Sequence, residues 1–135
     1  MSAKDKYHDT VVCALQKDSW HILGEQQRLL VDKRTVWIDI RASKEAPANI
    51  IFVEVKNYEN VASPVAYLES VLGQYLLYRA IIKSSNRDEE LYLALPEQAF
   101  DGIFGEELGK LVISYYSLKI IMFNIQKESI IRWIT

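Results

Sequence analysis

The sequence predicts an α/β fold of the α+β kind, a mixed β-sheet flanked by helices and closed by a C-terminal β-hairpin. Three observations predict it. Extended, β-branched or aromatic segments gather at residues 20–23, 29–31, 35–41 and 50–57, ahead of one long helical segment at about 64–83. A further apolar run, LYLAL at 91–95, stands between that helix and two short helical pieces within 97–116. The chain then closes on LKIIMFNI and KESIIRWI, strand-like runs that meet at a Gln126-Lys127-Glu128 turn. Strands and helices in this order, with no Gly-rich turn after the first strand, argue for a sheet with helices packed on it and against a doubly wound nucleotide fold.

Each element has a local cause. Within residues 4–17, Tyr7, Val11, Ala14 and Leu15 fall at helical spacing and give the first helix one apolar face. GEQQR at 24–28 reads as a polar turn between two extended pieces, and DKR at 32–34 as the short turn into TVWIDIR. KEAPAN at 44–49 reads as a loop before the strongest strand of the chain. Ser63 can cap the long helix and Pro64 suits its first position. The apolar stripe expected on that helix is Val65, Leu68, Leu72, Tyr75 and Leu76.

Size and composition bound the function. A chain of 135 residues, half hydrophobic and a quarter charged, is expected to form one soluble domain over residues 1–135. Its apolar runs are too short to span a membrane, its first ten residues hold no signal-peptide core, and Cys13 alone makes no disulfide framework. These predict a cytoplasmic protein with no membrane partner. A net charge of −2 excludes a strongly basic nucleic-acid-coating protein but leaves room for a local basic surface. Arg28, Lys33, Arg34, Arg41, Lys44, Lys56 and Arg79 are candidate phosphate contacts. Were the chain to hold duplex DNA, so mild an acidity would call for a partner protein or a homodimer to help.

The chemistry concentrates in FVEVKNY at 52–58. Alternation puts Phe52, Glu54 and Lys56 on one face of the strand and Ile51, Val53 and Val55 on the other, the expected core side. Asp39 interrupts TVWIDIR between Ile38 and Ile40; if the two strands are neighbours, its carboxylate comes beside Glu54. Two converging carboxylates make a hard, oxygen-rich site suited to Mg²⁺ or Mn²⁺. Lys56 on the same face would steady negative charge, the arrangement that phosphodiester cleavage requires. The plainer alternative is a Glu-X-Lys pair on a solvated strand face, worth ~1 kcal/mol at most.

Gln74 and Tyr78, four apart, share a helical face beside the apolar stripe, where an amide and a phenol could reach a site or a phosphate. Alternatively Gln74 is surface and Tyr78 boundary core. His8 lies in the first helix next to its apolar face; it is either a packed side chain or a site residue, with Asp5 and Asp9 weaker candidates. Cys13 reads as a packed thiol, and His8 and His21 form no zinc spacing with one cysteine. Tyr115, Tyr116 and Phe123 read as core rather than base-stacking residues.

Asp39, Glu54-Val55-Lys56 and Gly73-Gln74-Tyr75 through Tyr78 resemble the PD-(D/E)XK restriction-endonuclease-like superfamily, in its branch with a Gln-X-X-X-Tyr motif. Ile38 stands where that motif has proline. AKDKYHDTVVCALQKDSW, WIDI, FVEVKNY followed by SPV, LGQYLLYR, LYLALP and IIRWI resemble, over essentially the whole chain, the XisH family, excision controlling factors of the cyanobacterial fdxN element. The resemblance implies a restriction-endonuclease-like fold and a part in programmed DNA excision in heterocyst development, alongside a XisI-type partner protein and a separate recombinase. It implies Asp39, Glu54 and the Val55 carbonyl as ligands of Mg²⁺ or Mn²⁺, and Lys56 as the residue that orients water or stabilises charge. Gln74 and Tyr78 would order the site or touch the DNA backbone, with His8 near the metal. Two readings stay open: an endonuclease-type enzyme, and an inactive regulatory module that binds the partner and the recombinase.

Overall fold

The chain builds a six-stranded sheet whose spatial order is its sequence order. The computed structural model describes residues 5–45, 49–85 and 87–135. Helix α1 (His8–Lys17) precedes strands β1 (His21–Val31), β2 (Arg34–Lys44) and β3 (Asn49–Val55). Helix α2 (Pro64–Ser84) leads into β4 (Glu90–Pro96). Helix α3 (Glu97–Asp101), a 3-10 turn at Ile103–Gly105 and helix α4 (Glu107–Tyr116) lead to β5 (Ile120–Asn124) and β6 (Ser129–Ile134). β1 to β3 form an antiparallel meander, β3, β4 and β5 run parallel, and β5 turns back into β6. The mixed sheet, its flanking helices and the C-terminal hairpin are those the sequence predicts.

Two apolar cores lie on opposite faces of the sheet. On one, Val11 and Leu15 of α1 pack over Ile40, Ala42, Ile51, Val53 and Val55. On the other, Leu68, Val71, Tyr75, Tyr78 and Ile82 of α2 pack over Leu29, Ile38, Phe52, Leu91 and Leu93. β3 is therefore buried on both faces from Ile51 to Val55, as the third of six strands, and presents no solvated face. In β2 the change of core falls at Asp39, since Ile38 joins the α2 side and Ile40 the α1 side.

Several local expectations change. GEQQR is not a turn: β1 runs unbroken from His21 to Val31, with a register shift between Ile22 and Gly24 and Gln26 in a left-handed conformation. Pairing with β2 supplies the hydrogen bonds that a polar stretch would otherwise seek from water. β3 ends at Val55 rather than Asn57, and α1 begins at His8, with Asp5 accepting a bond from the Tyr7 N–H at 2.9 Å. Of the loop expected at 44–49, Lys44 and Asn49 are paired strand residues, and 46–48 lie outside the described residues.

Helix α2 starts as expected, with Ser63 Oγ accepting from the Ala66 N–H at 3.2 Å. Its buried stripe is rotated, however, to Leu68, Val71, Tyr75, Tyr78 and Ile82, and leaves Val65 about half exposed. Leucines on every side of this helix give the apolar pattern no single phase, so only packing chooses one. Tyr78 thus lies within the stripe, not beside it. Phe123 is core as expected, whereas Tyr115 points outward and meets only the edge of Tyr116 among rings. Cys13 is a half-buried free thiol, and no helix among the described residues is long and apolar enough to cross a membrane.

Candidate metal centre at the end of strand β3

The β2–β3 register, Ile40 opposite Val53, sets Asp39 and Glu54 across from one another where β3 ends. Their side chains replace the ladder. Glu54 Oε1 accepts from the Asp39 N–H at 3.2 Å, and Asp39 Oδ2 accepts from the Val55 N–H at 2.7 Å. Both residues are buried, at 4% and 7% exposure, in a chain whose other buried residues are nearly all apolar. Lys56 is the first residue beyond the strand; its N–H donates to the Ala94 carbonyl at 3.0 Å, and its Nζ lies 3.8 Å from Glu54 Oε2.

The electrostatics follow from burial. Desolvation, then repulsion from Asp39, pushes the Glu54 carboxyl up to about 8, against the pull of Lys56. Desolvation also raises Asp39, opposed by the Val55 N–H and by His8. Burial of both carboxyl groups and the repulsion that Asp39 exerts on Glu54 favour a proton on the pair. A pair that holds a proton because it is desolvated and like-charged is a ready donor set for a hard cation.

His8 supports the pair from the α1 side. It is almost fully buried, its Nε2 meets Glu25 Oε1 at 2.6 Å, and its Nδ1 stands 4.0 Å from Asp39 Oδ1. Ionised Glu25 can only accept, so Nε2 carries a hydrogen, and in neutral His8 the Nδ1 then presents a lone pair toward Asp39. That buried Nδ1 has no hydrogen-bond partner among the described residues. On the α2 side, Gln74 Nε2 donates to the Tyr78 hydroxyl at 3.1 Å. Burial and then the charge of Glu54 raise Tyr78, which puts the phenol within electrostatic reach of the carboxylates.

Asp39, Glu54, Lys56, His8 and Tyr78 with Gln74 thus converge where α1, β2, β3 and α2 meet. Val55 contributes its N–H to Asp39. The residues fit a divalent cation: two buried carboxyls, an orphaned imidazole nitrogen and no fully buried cation among the described residues. Asp5 does not join them; its carboxylate accepts from both the backbone and side-chain nitrogens of Asn57, at 3.2 and 3.1 Å, and so ties the start of α1 to the segment after Lys56. Sequence reasoning missed Glu25 and Gln26, the latter donating to Asp39 Oδ1 at 3.4 Å. A signal existed. A two-residue turn at Asp32-Lys33 pairs Val31 with Arg34, and counting back along both strands brings Glu25 opposite Ile40. Glu25 also joins His8 and Asp9 in a group whose ligand atoms lie within 4.8 Å of one another.

Of the seven candidate phosphate contacts, Arg41 pairs with Glu89 at 3.0 Å, Lys44 with Asp18 at 3.8 Å, and Arg79 donates to the Tyr116 carbonyl. Arg28, Lys33 and Arg34 stand exposed on the β1–β2 hairpin.

Comparison with known proteins gives the same architecture. A crystal structure of an XisH family protein from Nostoc punctiforme PCC 73102 matches with a TM-score of 0.87 at 28% identity, covering 96% of this chain and 98% of that one. The crystal structure of an fdxN element excision controlling factor protein from Anabaena variabilis matches with a TM-score of 0.87 at 29% identity and the same coverage. No curated protein sequence matches. The family model described as XisH protein matches residues 1–131, and the chain belongs to the XisH family.

Proposed function

We propose that this XisH-family protein acts in the control of DNA element excision through a divalent-cation-dependent phosphodiesterase centre of the endonuclease type. The observation that carries the reading is the buried Asp39–Glu54 pair, with Glu54 pushed up to about 8 and Lys56 at its side. Asp39, Glu54 and the Val55 carbonyl would hold the ion, with His8 Nδ1 beside them. When bound, Mg²⁺ or Mn²⁺ would polarise a phosphoryl oxygen. Lys56 Nζ is placed to steady charge that develops at phosphorus. Glu25 fixes the ring of His8, and through it the Asp39 side of the pair; Gln74 and Tyr78 form the helical wall against which a backbone phosphate would rest. Arg28, Lys33 and Arg34 supply a small electrostatic foothold for DNA, in keeping with a protein that binds duplex together with a partner. The role of the Anabaena variabilis relative, an excision controlling factor, supports the biological assignment.

The test is nicking of supercoiled and branched DNA by the purified protein, alone and with its XisI-type partner, in Mg²⁺ or Mn²⁺. Cleavage is expected, with Glu54→Ala and Lys56→Ala each abolishing it. Intact DNA under all these conditions would sink the enzyme reading.

A second reading, a regulatory module that assembles with a partner protein and a recombinase, is favoured by helix α4. Leu108, Leu111 and Tyr115, at helical spacing, are 42%, 60% and 76% exposed, an apolar face of the kind that protein partners cover. On this reading excision in cells survives Asp39→Asn and Glu54→Gln but fails when Leu111→Glu is introduced.

A further inference from the structure

The other end of β3 carries a cavity that the candidate metal centre does not use. Helix α1, of ten residues, is roughly 15 Å long and the eleven-residue β2 roughly 36 Å, so α1 covers only part of its face of the sheet. Where α1 stops, Trp20 is pinned to its end by a bond from its N–H to the Leu15 carbonyl at 2.9 Å. Beyond it opens a cavity of about 820 Å³, floored by Ile51, Tyr92 and Trp133. Asn49, on its rim, is five residues before Glu54, so the two sites stand roughly 17 Å apart along one strand.

Three aromatic rings make one wall. Trp20 stacks on Trp133 with centroids 5.6 Å apart, and Tyr92 meets Trp133 edge-on at 5.1 Å. The Trp20 ring already accepts a cation, Lys44 Nζ at 5.8 Å. Trp20 Nε1 is buried and has no hydrogen-bond partner among the described residues, although indole N–H groups that leave water ordinarily find an acceptor. The rim is acidic. Asp18, Asp88, Glu89 and Glu90 line the cavity with Lys44 and Arg87, and Arg41 reaches Glu89 from beside it, four carboxylates to three cations. Glu89 is engaged by Arg87 and by Arg41, and Asp18 by Lys44, so the unbalanced charge sits on exposed Asp88 and Glu90.

Aromatic rings, one of them already under a lysine ammonium, and exposed carboxylates on the rim call for a ligand that is cationic and has an apolar stem. A polyanion is disfavoured by the charge balance. From this juxtaposition we infer that the cavity receives a lysine or arginine side chain from a partner protein's basic segment. The site is independent of the phosphodiesterase reading.

The experiment titrates the full chain, in EDTA, with N-acetylated and amidated tri-lysine, tri-arginine and tri-glutamate peptides and with AMP, by tryptophan fluorescence and calorimetry. The basic peptides are expected to bind saturably and to change indole emission. The double substitution D88N/E90Q is expected to weaken them about tenfold with the melting temperature unchanged, since both residues are exposed. Lys44→Ala is expected to strengthen them several-fold by removing the cation already over Trp20, while Glu54→Gln changes nothing. Absence of saturable binding, equal binding by wild type and D88N/E90Q, or a preference for AMP, which would make this a nucleotide site, each overturns the proposal.

Discussion

The two ends of strand β3 treat buried carboxylates in opposite ways. Glu54 and Glu89 have similarly sheltered side chains, 9% and 13% exposed. Yet Glu54 is pushed up to about 8 and Glu89 is held below the ordinary value of 4.5. Burial raises both. At Glu89 its own backbone N–H, Arg41 and Arg87 outweigh burial; at Glu54 the nearest strong neighbour is another carboxylate, and Lys56 only softens the repulsion. The difference teaches that a fold can neutralise charge from within at one end of a strand and leave it for an external cation at the other. Glu89, neutralised internally, is structural, whereas its exposed neighbours Asp88 and Glu90 are not so neutralised; Glu54 is where chemistry is expected.

Phe52 joins the two ends. It is buried in the α2-side core, and the guanidinium groups of Arg41 and Arg87 lie 5.9 and 5.8 Å from its ring centroid. Phe52→Ala is expected to cost about 3–5 kcal/mol in denaturant unfolding, from lost burial and the cavity left behind. A loss under about 1 kcal/mol would show that the ends of the strand are not braced through it.

The comparison sharpens with pH. Glu54 binds its proton more tightly in the folded state than in the unfolded chain, where its ordinary value is 4.5. Its contribution to stability is therefore present below about pH 4.5 and lost as pH rises toward 8. Glu54→Gln should flatten that slope and leave the protein more stable than wild type at pH 8, by on the order of 2 kcal/mol. The same substitution should remove the stabilisation that Mn²⁺ gives to the wild-type protein. Thermal melts at pH 5 and 8, with and without Mn²⁺, read both effects, and an unchanged slope would break the account of the pair. Glu89→Gln should do the reverse and more weakly. A lowered value stabilises above pH 4.5 and is lost as pH falls, so removing this carboxylate at pH 7 strands two arginines and costs about 1–2 kcal/mol. Melts at pH 7 and pH 3 check the sign.

Most of this architecture was legible in the sequence, because strands rich in β-branched residues and a capped helix declare themselves locally. Asp39 and Glu54 were legible as a pair because each is a carboxylate between apolar neighbours, Ile38 and Ile40 or Val53 and Val55, and the cost of burying it demands a reason. What was not legible depends on partners distant in sequence. GEQQR looked like a turn because its polar residues satisfy no local pattern; only pairing with β2 makes it a strand, and with it Glu25 reaches His8. Tyr78 was placed beside the stripe of α2 because leucines surround that helix, and the sheet, not the periodicity, decides which of them face inward. The aromatic cavity rests on Trp20, Tyr92 and Trp133, from three separate elements, and no spacing in the sequence brings them together.

The smallest expected effect asks whether α2 belongs to the centre or only encloses it. Gln74 makes one hydrogen bond, to the hydroxyl of Tyr78, in a half-buried setting, so Gln74→Ala should cost under about 1 kcal/mol in unfolding. Its effect on function should be out of proportion to that. The amide holds a phenol that senses the charge of Glu54, and without it the hydroxyl is free to turn away from the carboxylates. Metal-dependent nicking by Gln74→Ala should fall about tenfold, the loss expected when a positioned group is let go. Tyr78→Phe, which keeps the ring and its packing, should fall by a similar factor with Mn²⁺ affinity nearly intact. Calorimetric Mn²⁺ titration beside initial nicking rates separates the two quantities. If both variants nick at the wild-type rate, α2 is a wall of the core and the centre consists of Asp39, Glu54, Lys56 and the His8 side alone.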